Sequence, residues 1–203
     1  MATTSRAGID AFKAAVVNDF ARPNLFQVDL EFPGSLSGAL GDAAGSLKVL
    51  GGFQVKAANL PASQLGVIEV PFRGRTLKIA GDRTFEPWTI TIMNDSQFAM
   101  RKAFEAWVTA IQAANENYTS SAFNNLGNAE DTRGYFADMK VSQLSRGGEV
   151  IASYNFINVF PSNVSAIDLD FGSNDAIEEF TVELQVQYWY PDEEPGVDNT
   201  LAG

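Results

Sequence analysis

The feature that most constrains this chain is a period of two in its apolar residues, which recurs in short segments along most of its length. Every second side chain is apolar in residues 25–32, and residues 87–93 and 179–190 repeat the pattern. Successive side chains of a strand point to opposite faces, so the pattern predicts strands with one buried face. Most of these segments follow one another without an intervening helix, which favours antiparallel sheets over βαβ units.

The same reasoning over the whole chain predicts nine strands and two helices. A short N-terminal helix is expected at residues 8–17, and a longer one from residue 98 to residue 111, where apolar residues recur at intervals of three and four. The predicted fold class is mainly β (α+β), an antiparallel β-sandwich or barrel with one packed α-helix and a short N-terminal helix. The strands are expected at residues 25–32, 53–59, 66–71, 75–80, 87–93, 135–143, 150–158, 166–171 and 179–190.

Length and composition favour a single domain at residues 1–190. A chain of 203 residues that is 45% apolar buries a large core without help from a disulfide or a metal. Residues 34–52, rich in Gly and Ala, predict an insertion or a hairpin loop, and residues 191–203 predict an acidic, mobile tail. No segment has the roughly 20 apolar residues needed to cross a bilayer, so membrane insertion is not expected.

Histidine and cysteine are absent from the sequence, which excludes several enzyme classes. The chain cannot form a Ser-His-Asp triad, a Cys-His pair, or a zinc site with imidazole or thiolate ligands. It also lacks the glycine-rich fingerprints of phosphate-binding loops. We therefore expect no cofactor, no metal and no enzymatic activity.

One pair of acidic residues keeps two chemical alternatives open. Asp168 and Asp170 would lie about 7 Å apart on one face of the strand expected at residues 166–171, a spacing that glycoside hydrolysis tolerates. The run from Asp168 also resembles a calcium loop, but Gly172 stands where a ligand belongs and Ser173 where the turn needs glycine. A solvent-facing acidic turn is the better interpretation of both patterns.

Charge is distributed unevenly along the chain. All of the net charge of −11 arises after Arg146, where eleven acidic residues occur and no Lys or Arg. A surface of one sign repels phosphates and attracts basic proteins, although a solvated acidic face with a frayed tail would have the same composition. A small basic island precedes it: Arg73, Arg75, Lys78 and Arg83, with Asp82 as the opposing charge.

Several blocks of the sequence together resemble the tail tube proteins of contractile-tailed bacteriophages. The most specific is AGDRTFEPW at residues 80–88, within a longer similar segment at residues 68–95. The other blocks are DFARPNLFQVDL at 19–30, VKAANLP at 55–61, FEAW at 104–107 and the segment at 160–189. The resemblance covers most of residues 19–189 and departs at residues 34–52, 115–133 and from residue 191 onward.

The resemblance implies a non-enzymatic virion protein whose hexameric rings stack into the inner tube of a contractile tail. Its expected partners are further copies of itself, the tail sheath protein, the baseplate or tube initiator and the tail terminator. Phage DNA would pass through the lumen without specific binding, and assembly would take place in the host bacterial cytoplasm. A ring-forming tube or carrier of a type VI secretion or contractile bacteriocin-like system is the alternative; a carbohydrate-binding sandwich would need exposed aromatics beside Asp168 and Asp170.

Two groups of residues become candidate contacts under this resemblance. The basic island and Asp82 are expected between subunits or rings, although Asp82 and Arg83 could equally form a tight turn inside one subunit, with Phe85 and Trp88 in the core. The acidic candidates would face either the lumen or the sheath. They are Asp168, Asp170, Asp175, Glu178, Glu179 and Glu183.

Overall fold

The computed structural model describes residues 20–36, 43–113 and 134–192, together with Ile9, Phe12 and Lys13. These residues form nine strands, two α-helices and one turn of 3-10 helix at Gly34–Leu36. The helices are α1 (Ala43–Gln54) and α2 (Ala99–Ile111). The strands are β1 (Phe26–Asp29), β2 (Val55–Ala58), β3 (Gln64–Phe72), β4 (Arg75–Thr84), β5 (Trp88–Met93), β6 (Ala137–Leu144), β7 (Val150–Val164), β8 (Glu179–Gln185) and β9 (Tyr188–Pro191).

The long strand β7 belongs to two antiparallel sheets. Its residues 150–159 pair with β6, which pairs in turn with β1, and β9 pairs with residues 154–157 of β7. Its residues 160–164 pair with β8, and β5 and β2 follow beyond β8. Near the end of the first part, Asn158 has a positive φ of 53°, and its N–H donates to the Asp138 carboxylate at 3.0 Å.

The mainly β, antiparallel class predicted from the sequence is confirmed, and the sheet is not closed into a barrel. Among the described strands, β1 and β2 each pair along one edge only, which leaves the sheet open. Within the described ranges no helix is long and apolar enough to span a membrane.

The core lies where the sheets meet α2. On β5 and β8, alternate side chains are buried, as the period of two predicted. Helix α2 begins at Ala99, whose N–H donates to Asp95 Oδ1 at 2.8 Å, and it buries one face against the sheets. The apolar side chains of α2 that the structure buries are Met100, Ala103, Phe104 and Trp107.

Three sequence predictions need correction. Much of residues 34–52, predicted as an insertion or a hairpin loop, is helix: α1 packs on β1, with Leu47 buried and Gly51 so close to Leu30 that an added Cβ would lie 3.1 Å from its side chain. The strand predicted at 53–59 therefore starts only at Val55. The strand predicted at 166–171 is absent, since none of these residues has strand structure.

The third correction concerns residues 179–190, which form two strands. The sheet pairing of β8 stops at Gln185, and β9 pairs with the other part of β7. Ile9, Phe12 and Lys13 are helical, but the rest of the predicted helix at 8–17, the polar segment at 115–133 and almost all of the predicted tail at 191–203 lie outside the described residues.

Candidate assembly surfaces

A two-stranded hairpin leaves the body of the protein between β2 and β5. Its strands β3 and β4 pair with each other and with no other described strand. Every residue of β3 is exposed, and in β4 only Gly81 is partly covered. A hairpin of two strands is marginally stable by itself, so one that is exposed on both faces is typical of an element that another chain covers.

The hairpin has one apolar face. Directly paired residues of antiparallel strands lie on the same face, and the register pairs Ile68 with Ile79 and Val70 with Leu77. Phe72, opposite Arg75, extends this face to the tip. Together these five apolar side chains expose on the order of 500 Å², as large as the largest apolar patches of ordinary monomers. On the other face, Glu69 and Lys78 form an ion pair at 3.6 Å.

The tip of the hairpin is a two-residue turn that carries positive charge. Arg73 and Gly74 both have positive φ, 45° and 81°, as a type I′ turn requires. The Arg73 guanidinium lies 5.5 Å from the centre of the Phe72 ring. Arg73 and Arg75 are both exposed, so the apolar face ends in two cations, whereas Lys78 lies on the other face.

The base of the hairpin is fixed to the core. Trp88, the first residue of β5, is buried, its ring stacks on Phe156 at 4.3 Å and its Nε1 donates to the Asn59 carbonyl at 2.7 Å. Gly66 and Gly81 face each other across the strands: a Cβ on Gly81 would lie 3.1 Å from the Gly66 backbone. A bulge between residues 65 and 67 lies at the same place.

The structure brings together only part of the predicted basic island. Arg73, Arg75 and Lys78 lie on the outer part of the hairpin, whereas Asp82 and Arg83 lie near its base. The alternative in which Asp82 and Arg83 form a tight turn is wrong, because both are strand residues of β4.

The acidic candidates divide into a loop and a strand. Asp168, Asp170 and Asp175 are exposed in the segment 165–178, which we call the acidic loop. The loop ends at Glu178, and β8 then carries Glu179, which forms an ion pair with Lys56 at 2.6 Å, and Glu183. The predicted strand spacing of Asp168 and Asp170 is wrong, since neither lies in a strand. No group of His, Cys, Asp and Glu in the described residues is arranged to hold a metal ion.

The acidic loop also exposes large apolar side chains, which the sequence analysis did not single out. Leu169 is 85% exposed, Phe171 is fully exposed and Ile177 is 66% exposed. The period of two at residues 167–171 was the available signal, but it predicted a strand. Because no strand in the described part of the chain pairs with these residues, Leu169 and Phe171 face solvent, whereas Ile167 packs against the core.

Two ion pairs elsewhere join distant segments at the surface. Lys140 donates to the Asp192 carboxylate, which lowers the pKa of Asp192 below its ordinary value. Lys48 on α1 donates to Glu31, which raises the pKa of Lys48. The exposure of both pairs limits their contribution to stability.

Comparison with known proteins gives one consistent family. A family model described as phage tail tube protein matches residues 21–192. The tail tube protein gp19 of Enterobacteria phage T4 is 32% identical over 180 residues, which covers 89% of this chain and 97% of the relative.

Solved structures share the fold at lower identity. The tube-terminating cap of the anti-feeding prophage superposes with a TM-score of 0.58 at 17% identity, over 88% of this chain and 94% of that chain. A chain of the sheath-tube complex of the PVC extracellular contractile injection system, in its extended state, gives a TM-score of 0.51 at 16% identity, over 89% of this chain and 96% of that one.

Proposed function

Because this chain belongs to the phage tail tube protein family, we propose that its subunits polymerise through the β3–β4 hairpin into the inner tube of a contractile tail. Proteins of this family are structural components of the virion. The observation that carries the proposal is the hairpin itself, whose apolar face from Ile68 to Phe72 and from Leu77 to Ile79 has no cover within the described part of the subunit.

The dimensions of the hairpin suit this role. A strand of ten residues such as β4 extends about 30 Å, which is far enough for its tip to reach a neighbouring subunit. Apolar surface of this size is costly in a soluble monomer, and its removal from water would stabilise the assembled state. Because the base of the hairpin is fixed to the core, a contact at its tip would fix the position of the neighbouring subunit.

In the proposed tube, six subunits form a ring and rings stack along the tail. The sheath would surround the tube, with a baseplate or initiator at one end and a terminator at the other. DNA would move through the lumen without being held, because the eleven acidic residues after Arg146, with no Lys or Arg among them, repel phosphates. The acidic candidates on β8 and in the acidic loop would then either face the lumen or contact basic protein surfaces.

The test is negative-stain electron microscopy of the purified protein across a concentration series, with sedimentation to measure the unassembled fraction. We expect hollow tubes or stacked rings, formed either by the protein alone or on added isolated baseplates. Subunits that remain monomeric even with baseplates would overturn the proposal. Ring number and lumen diameter, measured from averaged end-on views, test the hexamer separately from polymerisation.

The role of the hairpin is tested by replacing Ile68 with Ser. This change removes an apolar side chain from the hairpin face at a site that is exposed in the subunit. Val150→Ser is the matched control, because Val150 is also an exposed apolar strand residue but lies on β7. We expect the first variant to lose assembly and the second to retain it; normal tubes from Ile68→Ser would refute a role for the hairpin face.

A further inference from the structure

We propose that the apolar face of the hairpin docks onto the acidic loop, residues 165–178, of a second copy of this chain. The inference rests on the proposed polymerisation and names the surface that receives the hairpin. Both surfaces combine exposed large apolar side chains with charge, and the charges are of opposite sign.

The acidic loop is held at its ends and presents its apolar side chains outward. Ser165 and Thr181 exchange hydrogen bonds: the Ser165 N–H donates to the Thr181 carbonyl at 2.8 Å, and the Thr181 N–H donates to Ser165 Oγ at 2.9 Å. The Asn94 N–H donates to the Glu178 carbonyl at 2.8 Å at the other end of the loop. Between these points Leu169 and Phe171 are the most exposed large apolar residues of the described chain.

The opposite charges of the hairpin tip and the acidic loop favour their pairing. The acidic loop contains Asp168, Asp170, Asp175 and Glu178 and no basic residue. The tip of the hairpin presents Arg73 and Arg75 beside its apolar face. Opposite charges at the rim of an apolar contact favour the correct register and speed association, while two copies of either surface would repel each other.

The two surfaces lie at opposite ends of one sheet. The hairpin joins β5 at Trp88, whereas the acidic loop leads into Glu179, the first residue of β8, which pairs with Met93 at the other end of β5. A strand of six residues separates these ends by about 20 Å. Surfaces at opposite ends of a subunit make a head-to-tail contact, which repeats from subunit to subunit and builds a ring or a stack.

A second exposed apolar surface, on α1, fits the hairpin less well. Val49 and Phe53 on α1 are exposed, but α1 contains Lys48 and no acidic residue. The cationic tip of the hairpin would find no opposite charge on that helix. Helix α1 therefore serves as the alternative receiving surface in the test.

The absence of native cysteine makes cross-linking the direct test. Thr76 near the hairpin tip and Ser173 in the acidic loop are exposed polar residues outside the apolar anchors, and each is replaced by Cys in one chain. Because Thr76 lies on the polar face near the tip, the bifunctional thiol reagent needs a spacer long enough to pass the edge of the hairpin. After assembly, this reagent should produce a ladder of linked subunits on a denaturing gel. The matched control carries Thr76→Cys with Val49→Cys and should give no ladder.

The outcomes separate the two proposals. Tubes that give the ladder only with the Ser173 pair support docking on the acidic loop. Tubes that form normally but give a ladder with the Val49 pair instead, or none with the Ser173 pair, overturn this inference and leave polymerisation intact. A failure of the parent protein to assemble on baseplates refutes polymerisation itself, and the inference with it.

A charge exchange tests the same contact without cysteines. Arg75→Glu should raise the critical concentration for assembly about tenfold or more, and adding Asp168→Arg should recover most of that loss. Arg146→Glu is the control, because it makes the same change in net charge at the exposed β6–β7 turn. The proposed pairing is wrong if Arg75→Glu and Arg146→Glu raise the critical concentration equally. It is also wrong if adding Asp168→Arg to Arg75→Glu does not lower the critical concentration again.

Discussion

Replacing Phe72 by Ala should weaken assembly greatly while leaving the isolated subunit almost as stable as before. Phe72 is 67% exposed and ends the apolar face of the hairpin. If a neighbouring subunit covers the ring, the substitution removes on the order of 100 Å² of apolar burial, or about 2.5 kcal/mol for each contact. That free energy corresponds to a rise of roughly seventyfold in the critical concentration. Within the subunit, the ring loses little more than its contact with Arg73, worth about 0.5 kcal/mol.

Two measurements separate these effects. Sedimentation across a concentration series gives the critical concentration, and urea unfolding below that concentration gives the free energy of unfolding of the subunit. Phe53→Ala is the matched control, because Phe53 is 80% exposed but lies on α1, away from the hairpin. Equal shifts in critical concentration for the two variants, or a loss of subunit stability above about 2 kcal/mol for Phe72→Ala, would refute the reasoning.

Three further predictions follow from individual contacts. Gly81→Val should distort the hairpin, because a Cβ would lie 3.1 Å from the Gly66 backbone, so we expect assembly to fail while urea unfolding of the subunit changes little. Trp88→Ala should cost about 3–5 kcal/mol of unfolding free energy, measured in urea, since the ring is buried. The pKa of Asp192 is lowered by its bond to Lys140, so the stabilisation is complete above the unfolded pKa near 3.9 and is lost as pH falls through the lower folded pKa. Lys140→Met should therefore reduce unfolding free energy at pH 7 by less than about 1 kcal/mol, and urea titrations should find this difference shrinking below about pH 4.

Sequence periodicity predicted the elements that bury one face and failed where burial depends on a distant partner. The alternation in β5 and the spacing of three and four in α2 were sufficient to predict a strand and a helix, because both elements face the core. Helix α1 was not predicted, because its glycines weaken helix propensity and the helix forms by packing on β1. Residues 166–171 alternate as a strand would, but they pair with no strand in the described part of the chain.

The sequence predicted the strands of the hairpin but not their position outside the core. Alternation at residues 66–71 specifies an apolar face without specifying which molecule covers it. The density of basic residues at residues 73–83 led to the prediction of a contact between subunits, which stays a prediction. The family resemblance, which the matching family model and the T4 relative confirm, supplied the role that periodicity could not.

The arrangement of charge explains why such a subunit would grow into a polymer instead of closing into a dimer. A twofold contact centred on either surface would bring two cationic hairpin tips or two acidic loops together, and a reciprocal twofold contact of hairpin with loop would need both surfaces on one side of the subunit. Repulsion between like charges disfavours the first two arrangements, whereas the hairpin of one subunit against the acidic loop of the next brings opposite charges together. Because the two surfaces lie at opposite ends of β5, each docking event leaves one free hairpin and one free loop, and growth continues.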